Sequence, residues 1–153
     1  MINLAALAPL ASTSLAGTPI SGRKSVLIID DNPPIRDLLC LALLQAGYCA
    51  AAVAGGPAAL AWIEDALREG LSPALILLDL SVPWVRRVEI LHQVRAQWDR
   101  TGGPVPRMLI LTTYSTDLRE LEGCRVIKKP FHLGDLLHEV QSVLSLPLQP
   151  GRW

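Results

Sequence analysis

Beyond its first 22 residues, no segment of the 153-residue chain approaches the roughly 20 consecutive apolar residues that a membrane span requires. A net charge is lacking too: 14 Lys plus Arg balance 14 Asp plus Glu, and basic residues never cluster beyond pairs such as Arg86-Arg87 and Lys128-Lys129. Neither a membrane nor nucleic acid is therefore expected as a partner. The three cysteines, Cys40, Cys49 and Cys124, have no metal-ligand spacing, and an odd number without pattern reads as free thiols in a reducing, cytoplasmic setting. His92, His132 and His138 also lack paired ligand spacing and read as surface or boundary residues. Gly55-Gly56-Pro57 has neither the Lys nor the Ser/Thr of a phosphate-cradling loop, which leaves a turn. The first 22 residues contain no charged side chain. With no Lys or Arg to open a secretory signal, and Pro9 interrupting the apolar stretch, they read as a poorly ordered extension.

What is present is apolar: half of all residues, enough to exclude disorder, in a length that suits one well-cored domain. From Ser25 onward, short apolar runs alternate with helical patterns. SVLIID (25–30) predicts a strand ending in acid, and PPIRDLLCLALLQA (33–46) a helix with proline in its first turn and Gly47 as its stop. A weak strand over 48–54 and a helix over 56–69, closed by Gly70, come next. ALILLD (74–79) is a second apolar run ending in acid. Residues 87–98 carry Val88, Leu91, Val94 and Arg95 at helical spacing. A strand at 107–111, a short polar helix around 116–122 and a strand at 125–129 complete the alternation. The last helix, 131–146, carries an apolar face of Leu133, Leu136, Leu137, Val140, Val143 and Leu144. On the first helix, a sheet-facing row of Ile35, Leu39, Ala42 and Ala46 turns Cys40, Leu41 and Leu44 outward, either beneath the N-terminal extension or as a docking surface.

Five such units imply a parallel sheet covered on both faces, with its functional crevice at the carboxyl ends of the strands. Asp30, Asp31, Asp79, Thr112 and Lys129 then meet on one edge although they are scattered through the chain. Three clustered carboxylates either take up protons or hold a cation. A hard divalent ion, most plausibly Mg²⁺, suits oxygen ligands and keeps open positions for water and a phosphoryl oxygen. An amine and a hydroxyl beside them complete an anion site, and the set describes in-line phosphoryl transfer to an aspartate.

VLIIDD (26–31), LLDLSVP (77–83), LILTT (109–113) and KKPF (128–131) resemble the receiver domain of two-component response regulators. The resemblance implies an α/β, flavodoxin-like, doubly wound five-stranded parallel sheet of order 2-1-3-4-5. Residues 23–146 would form the receiver, after the 1–22 extension and before a short 147–153 tail. It implies that Asp79 is the phosphoacceptor, that Asp30 and Asp31 bind Mg²⁺ with Asp79, and that the Ser81 backbone carbonyl is a further ligand. Thr112 matches the hydroxyl that bonds the transferred phosphoryl group, Lys129 the lysine that contacts it, and Lys129–Pro130 a bond that is usually cis. The donor would be a histidine kinase or a histidine phosphotransfer protein, and the chain would be no enzyme beyond promoting its own phosphorylation and dephosphorylation. Only about seven residues follow the last helix, so a stand-alone receiver is expected, one that signals to a downstream protein or relays phosphate; a homodimer is also open to it.

The chain departs from the family pattern at four places. Arg87 replaces a usual glycine eight residues after Asp79, Thr113 a usual Ala or Gly, and Val126 the aromatic switch residue. The interval from Thr112 to Lys129 is short by about a helical turn or more, which implies a shortened fourth helix. These departures favour the alternative of a phosphorylation-independent binding module, while the intact Asp79, Asp31, Thr112 and Lys129 oppose it.

Overall fold

A computed structural model describes residues 24–80, 87–101, 105–113 and 124–146. Its strands are β1 (Ser25–Ile29), β2 (Cys49–Val53), β3 (Leu75–Asp79), β4 (Arg107–Thr112) and β5 (Arg125–Lys128). The helices are α1 (Pro33–Gln45), α2 (Gly56–Arg68), α3 (Arg87–Thr101) and α4 (Leu133–Ser145). All four strand pairings are parallel, in the order β2-β1-β3-β4-β5. The sheet order and the flavodoxin-like alternation expected from the sequence are therefore present.

The strands are unbrokenly apolar because both faces are covered. Alternation along each strand sends successive side chains to opposite sides. On one face Leu27, Ile29, Ile76, Leu78, Met108 and Ile110 pack with Ala59, Trp62, Ile63 and Ala66 of α2 and Trp98 of α3. On the other, Val26, Ile28, Leu75, Leu77, Leu109 and Leu111 meet Leu39 and Leu43 of α1 and Leu136, Val140, Val143 and Leu144 of α4. Trp98, fully buried, donates its indole N–H to Ser72 Oγ at 3.1 Å.

Local signals set the helix ends. Asn32 caps α1 by accepting the Ile35 N–H, and proline stands in the first turn of both α1 and α2. Gly47 and Gly70 have φ of 93° and 74°, the left-handed conformation that ends a helix with least strain at glycine. At the end of the sheet opposite Asp79, the ammonium of Lys24 and the guanidinium of Arg107 both donate to Leu144 O at 2.7 Å. Arg107 also donates to Leu146 O. Two cations thus satisfy carbonyls at the C-terminus of α4, where the helix dipole favours positive charge.

The outer face assigned to α1 needs correction. Leu39, Ala42 and Leu43 are buried, Ala46 is exposed, and Cys40 and Leu44 pack partly against the core. The helix is rotated so that Leu38, 53% accessible, is its exposed large apolar residue. The helix α3 runs through Thr101 rather than stopping at Trp98, and Thr112 belongs to β4. The 1–22 extension, Ser81, Trp84, Arg86, the helix expected at 116–122 and the 147–153 tail lie outside the described residues, as do the side chains of Arg87, Val88, Leu91 and Val94.

Candidate functional site

Parallel pairing brings the carboxyl ends of β1, β3 and β4 into one row. Ile29 pairs with Leu78, so Asp30 follows at the level of Asp79, and Asp79 pairs with Leu111, just before Thr112. Asp30, Asp79 and Thr112 are buried, at 1%, 2% and 1% accessibility, while Asp31 is exposed at the rim. One oxygen from each of Asp30, Asp31 and Asp79 lies within 4.8 Å of the others. Lys129, just beyond β5, donates from Nζ to Asp79 Oδ2 at 2.6 Å, and its backbone N–H bonds Thr112 O at 2.8 Å. The Lys129–Pro130 bond is cis. The structure thus brings together five of the six residues singled out in the sequence, the sixth being Ser81.

Lys128 is exposed on the other side of β5 from Lys129, and Thr113 is exposed beyond Thr112. Val126 packs against the core on the α2–α3 face. All three histidines that the sequence assigned to the surface or its boundary are exposed. Burial pushes the thiols of Cys40 and Cys124 up to about 11, so both stay protonated and unreactive near neutrality.

The electrostatics of the cluster favour a cation. Three carboxylates against one ammonium leave two negative charges in excess when all are ionised. Asp30 Oδ1 accepts the Asn32 N–H at 2.8 Å, but Oδ2 is buried and accepts no hydrogen bond. A buried carboxylate oxygen without a donor is costly unless a proton or a cation meets it. Accordingly the Asp30 carboxyl is pushed up from 3.8 to about 6, by burial first and by the neighbouring Asp79 charge among the further causes. An all-oxygen, carboxylate-rich donor set suits a hard divalent cation such as Mg²⁺.

Sequence patterns did not single out Arg36. It donates from Nη1 to the Asp30 carbonyl at 2.8 Å, reaching back from α1 to the end of β1. No spacing rule announces such a contact, because it depends on the angle at which the helix leaves the strand.

A family model described as the response regulator receiver domain matches residues 26–141. The chain belongs to that family. Receivers of this kind are signalling modules of two-component systems. The DNA-binding response regulator MtrA of Mycolicibacterium smegmatis is 30% identical over 125 residues, which cover 80% of this chain and 51% of MtrA. The receiver spans about half the length of the curated relatives it matches. The expectation that nucleic acid is not a partner draws no support from a relative described as DNA-binding. Among solved structures, chemotaxis protein CheY4 of Vibrio cholerae superposes with a TM-score of 0.63 at 27% identity, covering 80% of this chain and 99% of that one. Response regulator TrrA of Thermotoga maritima, in complex with Mg²⁺-BeF, gives 0.60 at 26% identity, covering 78% and 98%. Among the described residues no helix is long and apolar enough to cross a membrane.

Proposed function

We propose that this receiver, residues 23–146, accepts a phosphoryl group on Asp79 from the phosphohistidine of a histidine kinase or phosphotransfer protein. The observation that carries the reading is the meeting of Asp30, Asp31 and Asp79 within 4.8 Å, with Lys129 bonded to Asp79. The Mg²⁺-BeF complex of TrrA adds support for the metal. Asp30, Asp31 and Asp79 would hold Mg²⁺, with the Ser81 backbone carbonyl as a further ligand. When bound, the ion supplies positive charge to offset the carboxylates and the incoming phosphoryl oxygens.

The buried end of β3 holds Asp79, whose carboxylate would be the attacking nucleophile. A new P–O bond forms in line as the P–N bond of the donor breaks, and the imidazole nitrogen departs with that bond's electrons. Lys129, bonded to the carboxylate before transfer, moves its ammonium onto a phosphoryl oxygen afterwards. Thr112, whose side chain is buried beside the crevice, donates its hydroxyl to another. Those two contacts bias the neighbouring loops toward one of two arrangements and so present a surface to a downstream protein.

Incubation with a small phosphodonor and Mg²⁺, followed by intact mass, tests the reading. One phosphoryl adduct is expected, absent without Mg²⁺ and absent in Asp79→Asn. No adduct from any donor, a cognate kinase included, would favour a receiver-fold binding module. Thr113 and the core-packed Val126, both departures from the usual switch residues, are the observations on that side.

A further inference from the structure

Among the described residues, Arg36 is a charged side chain that bonds the acidic turn and whose job is not explained by the receiver constellation. It stands on the first turn of α1, half-buried, and bonds a carbonyl rather than a carboxylate. Three further contacts bracket the same few residues. Asn32 N–H bonds Asp30 Oδ1 at 2.8 Å, Asn32 Oδ1 accepts the Ile35 N–H at 3.3 Å, and Arg36 N–H bonds Asn32 O at 3.0 Å. The turn Asp30-Asp31-Asn32 is therefore tied at its start by the Arg36 guanidinium and at its end by the helix cap. From that turn two of the three clustered carboxylates project, one buried and one exposed.

Two like charges on adjacent residues repel each other and push the turn to open. The guanidinium opposes this without occupying a carboxylate oxygen: it holds the backbone through the Asp30 carbonyl. Had Arg36 paired with Asp30 or Asp31 directly, it would have competed with a cation for the same oxygens. Asp30 Oδ2 stays available, buried and without a donor.

We propose that Arg36 is a positioning residue for the cation site, holding the Asp30-Asp31 turn in the geometry that binds a divalent metal before the metal arrives. The inference rests on the reading of that cluster as a Mg²⁺ site. Pre-organisation of this kind appears in affinity, because a turn already in place has less freedom to lose on binding.

Calorimetric titration of the full chain with Mg²⁺, beside thermal unfolding without metal, tests it. Arg36→Ala is expected to weaken Mg²⁺ binding about fivefold to tenfold, Arg36→Gln to do so less because an N–H donor remains, and Arg36→Lys to recover most of the affinity. Leu38→Ala, two residues along on the exposed face, serves as the control and should bind as wild type. An Arg36→Ala chain that melts lower but binds Mg²⁺ within twofold of wild type overturns the inference and leaves the metal site standing. Should Arg36→Ala fail to fold, equal affinities for Arg36→Gln, Arg36→Lys and wild type overturn it as well. A wild-type chain that binds no Mg²⁺ overturns the metal site, and the role of Arg36 with it.

Discussion

Asp30 shows most clearly how one residue's environment sets behaviour. It is buried at the end of β1, one carboxylate oxygen has no donor, and Asp79 lies within reach, so its carboxyl rises to about 6. Between 3.8 and about 6 the folded chain holds more protons than the unfolded one, so metal-free stability falls as pH rises across that window. The displacement corresponds to at most about 3 kcal/mol. Asp30→Asn is expected to flatten the decline and to raise the metal-free melting temperature at pH 7.5, while weakening Mg²⁺ binding at least tenfold. Thermal melts from pH 4 to 8 check the first part; a variant that melts no higher than wild type at pH 7.5 would show that the charge is relieved in some other way. Asp79 and Lys129 were legible in the sequence because the first closes a strand and the second directly follows one. Arg36 was not, because a side chain that bonds a carbonyl six residues back leaves no periodic trace.

Among the elements, strands were easier to read than helix faces. Runs such as VLII and LILL, buried on both sides, admit little other than a central parallel strand. The amphipathic row of α4 was equally plain, and four of its six residues are fully buried. In α1 leucine is so frequent that several faces look apolar, and tertiary packing rather than periodicity chose Leu43 over Ala46. The end of α4 was also unreadable, since its capping groups come from β1 and β4. Arg107 supplies two hydrogen bonds there and Lys24 one. Arg107→Ala is expected to cost about 1–2 kcal/mol, lowering the melting temperature by several degrees and speeding amide exchange in the last turn of α4. Arg107→Lys should recover part of that loss. Because the contact is at the pole of the sheet away from Asp79, phosphorylation by a small donor should keep its wild-type rate in both variants.

For the whole molecule, the doubly wound sheet separates anchorage from chemistry. Two apolar layers hold five strands rigid, and everything reactive is displaced to one edge, where a small core can support three carboxylates in close approach. The fold was legible because alternating strand and helix patterns with central apolar runs leave few topologies open. The site was legible as an edge but not as a geometry: the exposure of Asp31 and the Lys129–Asp79 bond depend on backbone course. On the proposed reading of the site, the donorless oxygen of Asp30 would make cation loading an exchange of acid with the medium. Burial and the neighbouring Asp79 raise that carboxyl to about 6, so near that pH a proton would compete for the oxygen that a cation would take. Uptake of Mg²⁺ is therefore expected to release more protons at pH 6 than at pH 8. The heat of titration at pH 6 should differ between MES and Bis-Tris in proportion to their ionisation enthalpies, and identical heats would mean that Asp30 is already ionised there. A rise in acidity would then compete directly with the ion, and the group through which it acts would be a buried carboxyl.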